Sequence, residues 1–183
     1  MGNREALIGG AKRCLYEKGY TRTTARDIAN ASSVSLAAIG YHFGSKDNLL
    51  QAALFEAMEE WGDDLRRGFA ADIDPDASPA ERFEARWRHV IESFERQRPF
   101  WLMQVEMVVQ ADHVPELRKM LAGGVEAARR GLAELFESDP ELGTLYQVML
   151  SGVLTQWLID PATAPTAAEL TTSLKKISTD LAE

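Results

Sequence analysis

The sequence predicts an all-α protein of about nine helices, a small N-terminal three-helix portion joined to a larger helical one. Three observations lead there. Apolar residues recur at i, i+3, i+4 and i+7 almost throughout the chain. No stretch alternates apolar and polar residues for the length of a strand. Gly and Pro fall between the periodic segments, where helices stop.

The elements follow in order. Leu7, Ile8, Ala11 and Leu15 mark the buried stripe of a first helix over Asn3 to Lys18, closed by Gly19. A short second helix starts near Thr24 and turns Ile28 and Ala29 inward. A third starts after Ser35 as N-cap, carries Ile39 and Phe43 in its core and ends at Gly44. A fourth runs from Lys46 to about Phe69 with a long apolar face from Leu49 to Trp61. The acidic stretch over Ala71–Ser78, with Pro75 inside it, reads as a surface loop.

Ser78 and Glu81 then form a capping box with Pro79 at the first helical position. Pro99 separates that helix from a more apolar one reaching about Ala111. Pro115 restarts a long helix to about Glu137, and Pro140 breaks it. Over Leu142–Ile159 two adjacent apolar rows appear, one with Tyr146, Leu150, Leu154 and Leu158, the other with Leu145, Met149, Val153 and Trp157. Two rows imply burial against two bodies. Thr166 and Glu169 form a second capping box. Leu170, Leu174, Ile177 and Leu181 then draw a heptad-like seam.

Composition sets the outer limits. The 183 residues are 45% apolar and 26% charged, a globular profile. One cysteine, Cys14, excludes an internal disulfide framework, and its place beside the first helix's stripe reads as packing. No run approaches the roughly 18 apolar residues of a membrane span. The first residues lack an apolar signal segment, so a cytoplasmic location is expected. The net charge of −8 speaks against a nucleic-acid partner until it is divided. Residues 1–50 carry seven bases against four acids, a net +3, and the remainder carries a net −11.

The basic end holds the informative segment. From Thr23 to Lys46, two short helices flank a tight connection, the layout of a helix-turn-helix whose second helix enters the major groove of DNA. Thr23, Thr24, Arg26, Ser35, Tyr41 and Lys46 carry phosphate donors. Leu36, Ala37, Ala38 and Gly40 keep the groove-facing side slim, while Tyr41 and His42 reach further. His42 reads equally as a packing histidine.

The stretch YTRTTARDIANASSVSLAAIGYHFGSKDNLL, residues 20–50, resembles the N-terminal domain of TetR-family transcriptional regulators. The resemblance implies a DNA-binding domain over residues 1–46 and a ligand-binding and dimerisation domain over 47–183, with the helix 46–69 connecting them. It implies Ser35 to Phe43 as the recognition helix, with Thr24 and Lys46 on phosphates. This chain has Ser33 where the family often has Gly, Leu36 where it often has Lys, and Gly40 where it often has an aromatic or polar residue. Base reading is therefore expected to lean on apolar contact with thymine methyls and on Tyr41 or His42.

The resemblance also implies partners: double-stranded operator DNA, a second copy of the chain and a small-molecule effector, with no membrane. Trp61, Phe83, Trp87, Ile91, Phe94, Trp101, Gln104, Met107, Met120 and Tyr146 are the expected effector contacts, apolar surface with a few polar anchors. Leu150, Leu154, Trp157, Leu158, Leu170, Leu174, Ile177 and Leu181 are the expected dimer contacts. A ligand near the fourth helix would change the spacing of the two recognition helices and release the DNA.

No enzyme, cofactor or metal is expected. His42, His89 and His113 lie on separate segments, and no metalloprotease, phosphate-loop, nucleophile-elbow or dinucleotide motif occurs. Asp112, His113 and Glu116 sit at a helix break and make a poor metal cluster.

Overall fold

The computed structural model describes residues 2–74 and 76–182. Pro75, read above as part of the breaker loop, lies outside them. Nine α-helices and one 3-10 turn appear among the described residues, and no strand. They are α1 (Asn3–Lys18), α2 (Ala25–Ser32), α3 (Leu36–Phe43), α4 (Lys46–Asp72), α5 (Pro79–Arg96), α6 (Arg98–Gln110), α7 (Pro115–Leu135), α8 (Gly143–Ile159) and α9 (Ala167–Ala182). The 3-10 turn, Pro140–Leu142, leads into α8.

Local chemistry sets these ends. Both expected capping boxes form: Ser78 and Glu81 exchange side-chain and backbone hydrogen bonds, and so do Thr166 and Glu169. Thr24 and Asp27 make a third at the start of α2. Pro99 does not separate two helices by itself. It sits in the first turn of α6, where its missing N–H costs nothing.

The chain forms two compact units. The first runs to Trp61 and takes up again over Pro99–Gly123. At its N-terminal end Leu7, Ile8, Leu15, Ile28, Leu49 and Leu50 are all buried. Removing such side chains from water contributes about 1.5–3 kcal/mol each. α1 and α2 approach closely at Gly10, where a Cβ would stand 2.9 Å from Ser32 Cβ and 3.1 Å from the Ile28 carbonyl. Lys12 ties α1 to α4, with its ammonium 3.0 Å from Glu56 and 2.6 Å from Glu60. Burial opposes its charge, but the hydrogen bonds and charge of the two carboxylates outweigh that and raise its pKa. Further along, Trp61 of α4 meets Trp101 of α6 edge-on at 5.0 Å, with Phe100 packed on Trp101 at 4.8 Å.

The second unit comprises Gly62–Arg98 and the chain from Gly124 on. Trp87, Val90 and Phe94 of α5, Leu132 and Phe136 of the α7 end, and Tyr146, Leu150, Val153, Leu154 and Trp157 of α8 fill its interior. Phe136 is the hub. It stacks on Tyr146 at 4.5 Å and meets Trp87 at 5.4 Å, Phe83 at 6.2 Å and Phe69 at 6.3 Å. The Arg86 guanidinium donates to the Phe136 carbonyl and pairs with Glu137. Gly143 brings the start of α8 onto the Arg129 carbonyl, leaving no room for a Cβ.

One expectation about membranes needs correction. By length and composition, Pro140–Ile159 is long and apolar enough to cross a bilayer. In the structure its Tyr146, Leu150, Val153, Leu154 and Trp157 are interior to the second unit. Only 33% of its most apolar stretch is buried, and polar residues interrupt its apolar runs, which concealed it from a search for continuous ones.

Candidate nucleic-acid interface and effector site

The helix-turn-helix is built from its caps inward. At Thr24, the hydroxyl accepts from the Asp27 backbone N–H at 3.1 Å and donates to Asp27 Oδ2 at 2.6 Å. Lys18 closes on the same carboxylate at 2.5 Å. The Lys18 hydrogen bond, followed by those from Thr24, holds the Asp27 carboxyl far below the usual carboxylate range. The turn is made by Ser33, whose φ of 56° and ψ of 32° are left-handed. Its N–H and that of Val34 close the end of α2 onto Asn30 and Ala29 carbonyls.

That turn presents one face of α3 outward. Ile39 is buried, whereas Ser35, Leu36, Ala37, Gly40 and Tyr41 are exposed. Tyr41 is 87% exposed, with the His42 ring edge-on at 4.9 Å. Nothing lies within 4 Å of where a Gly40 Cβ would be, so the face is open as well as slim. Ala38, His42 and Phe43 are half-buried, and the Arg4 guanidinium lies 5.5 Å over the Phe43 ring. Thr24 and Arg26 are exposed at the start of α2.

Two expected phosphate donors, Thr23 and Lys46, also have contacts within the chain. Thr23 is 1% exposed, and its hydroxyl donates internally to Gly19 and Cys14 carbonyls at 2.7 and 3.2 Å. It is a structural residue of the turn after α1. Lys46 is partly exposed, but its ammonium donates to the Thr23 carbonyl at 3.2 Å. It also lies 3.4 Å from Asp47 and 5.7 Å over the Tyr20 ring. Sequence reasoning missed Tyr20 and Asp47 as its partners. The only available signal was the adjacency of Asp47.

The expected effector residues divide between the units. In the first, Trp61, Trp101 and Met107 are buried, Met120 is half-buried, and the Gln104 amide donates to Met58 Sδ at 3.4 Å. In the second, Trp87, Phe94 and Tyr146 are buried and Phe83 and Ile91 half-buried. Phe94 meets Trp157 at 5.7 Å. The Trp87 indole N–H is buried without a hydrogen-bond partner among the described residues. Phe136, absent from the expected set, is central to the cluster. Its place in the apolar run with Leu132, Ala133 and Leu135 was the signal available. Asp112, from the weak metal group, pairs instead with Arg118 at 2.7 Å.

The dimer expectation also shifts. Leu150, Leu154 and Trp157 are interior to one chain and Leu158 is half-buried. The outward row of α8 is Leu145, Val148, Gly152, Thr155 and Ile159, with Val148 64% and Ile159 80% exposed. On α9, Leu170 and Leu174 are half-buried, and Ile177 and Leu181 are exposed.

An all-helical chain whose N-terminal unit turns a slim, exposed helix outward beside a basic end is a helix-turn-helix protein of the transcription-regulator class. Family models agree at both ends. The model of bacterial regulatory proteins of the tetR family matches residues 7–53, and that of the tetracyclin repressor-like C-terminal domain matches 78–179. The chain belongs to the TetR family of bacterial regulatory proteins.

Among its relatives, the HTH-type transcriptional regulator TtgR of Pseudomonas putida is 38% identical over 74 residues, 39% of this chain and 35% of TtgR. The matched stretch thus spans about a third of that relative's length. The HTH-type transcriptional repressor AcnR of Corynebacterium glutamicum is 42% identical over 50 residues, 27% of each chain. The crystal structure of multidrug binding protein EbrR complexed with proflavin has a TM-score of 0.63 and 25% identity, covering 96% of this chain and 99% of that one.

Proposed function

We propose that the protein is a homodimeric repressor that binds a palindromic operator and is released by a small apolar or amphipathic effector. The exposed face of α3 carries the proposal. Leu36, Ala37, Gly40 and Tyr41 point outward while Ile39 anchors the helix from behind. The slim part approaches base edges and thymine methyls, and Tyr41 reaches base or backbone. His42 stands beside it. Ser35, Thr24 and Arg26 supply phosphate contacts with Lys46. Residues 1–46 do the DNA work, and 47–183 sense and pair.

Two copies pair through the outward row of α8 and the α9 seam of Leu170, Leu174, Ile177 and Leu181. What supports this is aliphatic surface left exposed by a single chain, with Gly152 leaving room for a close helix crossing. Pairing places two recognition helices about 34–36 Å apart, on successive major grooves. The effector contacts the aromatic cluster around Trp87, whose unpaired buried N–H favours a ligand carrying an acceptor. The proflavin complex of EbrR supports an aromatic effector by likeness. Effector binding lowers operator affinity by the ratio of its affinities for the two states. Such a regulator works in the cytoplasm.

Gel shift with the DNA upstream of its own gene tests the reading. Specific, salt-sensitive binding to a site with two half-sites is expected. Binding that ignores sequence, or none, counts against it.

A further inference from the structure

The turn that follows α1 is contacted from an unexpected place. Gly19 has φ 77° and ψ 172°, a backbone conformation open essentially to glycine alone. Against it lies the carboxylate of Glu106 on α6. A Cβ at Gly19 would stand 2.6 Å from Glu106 Oε1 and 2.8 Å from its Cδ. The backbone requires glycine, and a side chain there would push the Glu106 carboxylate from its place.

The next residue, Tyr20, is buried, and its hydroxyl reaches Asp47 Oδ1 at 3.4 Å. Burial first, then the Asp47 charge and hydrogen bond, push its phenol up to about 12. The phenol therefore stays a donor toward Asp47 at any physiological pH. Over the same ring, at 5.7 Å, lies the Lys46 ammonium, which also donates to the Thr23 carbonyl. Thr23 in turn is fixed to Gly19 by its hydroxyl. One short turn thus carries Glu106 on one side and holds Lys46 by two contacts on the other, the Tyr20 ring and the Thr23 carbonyl.

We propose that Glu106, wedged against Gly19, and Tyr20, lying under Lys46, are positioning residues that set where the Lys46 ammonium stands toward a DNA phosphate. This rests on the reading of Lys46 as a phosphate contact. A displacement of α6 then reaches the DNA-facing lysine through the Gly19–Tyr20 turn, without passing along α4.

The test uses the full-length protein and a mixed-sequence duplex of about 30 base pairs, long enough for two half-sites one turn apart. Affinity is measured against salt concentration, because each lost lysine–phosphate contact flattens the log–log slope by about 0.9. Lys46→Ala sets the reference loss for each subunit. Glu106→Ala should flatten the slope in the same direction and should add nothing in a Lys46→Ala background. Glu106→Gln keeps the side chain's shape without its charge and should retain the wild-type slope. A simple repulsion between Glu106 and DNA would instead make Ala and Gln behave alike, overturning the proposal. So would additivity of Glu106→Ala and Lys46→Ala in the double-mutant cycle. An unchanged slope in Lys46→Ala removes both this proposal and the phosphate reading of Lys46. An unchanged slope in Glu106→Ala alone removes only the positioning role. Melting curves of each variant confirm that the fold is intact before slopes are compared.

Discussion

The N-terminal part of the first unit and the second unit solve opposite problems with the same element. Around α2 and α3, short helices are fixed by local hydrogen bonds among Lys18, Thr24, Asp27 and Ser33, so that one side can remain bare. In the second unit, long helices are fixed by apolar contact among distant residues, and Phe136 alone meets four other rings. A DNA-reading surface needs rigidity without covering its face, which caps provide. A packed interior needs contact area, which aromatic side chains provide. The comparison predicts that damage to the first region shows in binding and damage to the second in stability.

The largest effect falls on the second unit. Trp87→Ala should lower stability by about 3–5 kcal/mol, the range for large aromatic truncations in cores. Urea unfolding followed by near-ultraviolet circular dichroism measures it. A loss below about 1 kcal/mol would mean that the cluster around Phe136 is loosely packed. Leu150→Ala should follow with about 2–5 kcal/mol, because the residue is interior to one chain. Loss of dimerisation at full stability would return it to the interface.

The first region should respond differently. Tyr41→Ala should weaken operator binding by about tenfold or more, a difference of about 1.4 kcal/mol. Its melting temperature should hardly move, since the side chain is exposed. Val148→Asp tests the outward face of α8 in the same spirit. It should shift the protein toward monomer in sedimentation while each chain stays folded. Deleting α8 and α9 is the poorer experiment, because it would strip Leu150, Val153 and Trp157 from the core.

Acid offers a gentler probe. The folded state favours the charged form of Asp27, so its contribution is complete above the ordinary carboxylate range. It is lost progressively as pH falls from that range through the lowered folded-state value. Amide protection of α2 should therefore match at pH 7 and pH 5. An NMR titration of Asp27 with a midpoint near about 4 would contradict the Lys18–Thr24 clamp. The smallest effect is Ser33→Gly. Relief of the left-handed conformation competes with added flexibility in the unfolded chain, and a gain of up to about 1 kcal/mol is expected in melting experiments.

Much of the helical layout was legible because it is local. Gly19, Gly44, Ser78 and Thr166 announce helix ends through their own chemistry, and the structure places those ends accordingly. The exposed face of α3 was legible for the same reason, since spacing alone turns Leu36, Gly40 and Tyr41 away from Ile39. What escaped was long-range. Thr23 looks like its neighbour Thr24 until the turn after α1 folds over it. Leu150 and Val148 are both aliphatic, and only the packing of α8 against α5 and Phe136 decides which faces inward. Phe136 sits at the end of α7, where periodicity gives out, and its role depends on rings far away in sequence. The division of charge survives as well, with the net +3 of residues 1–50 on the end that carries the helix-turn-helix.

The most direct test is a hydroxyl-radical footprint on the DNA upstream of the protein's own gene, run with the wild-type chain and with Tyr41→Ala. The predicted result is protection of two symmetric half-sites about one helical turn apart, fading with salt and lost in the variant. Equal protection by both proteins, or none by either, would contradict the assignment of α3 as the DNA-reading helix.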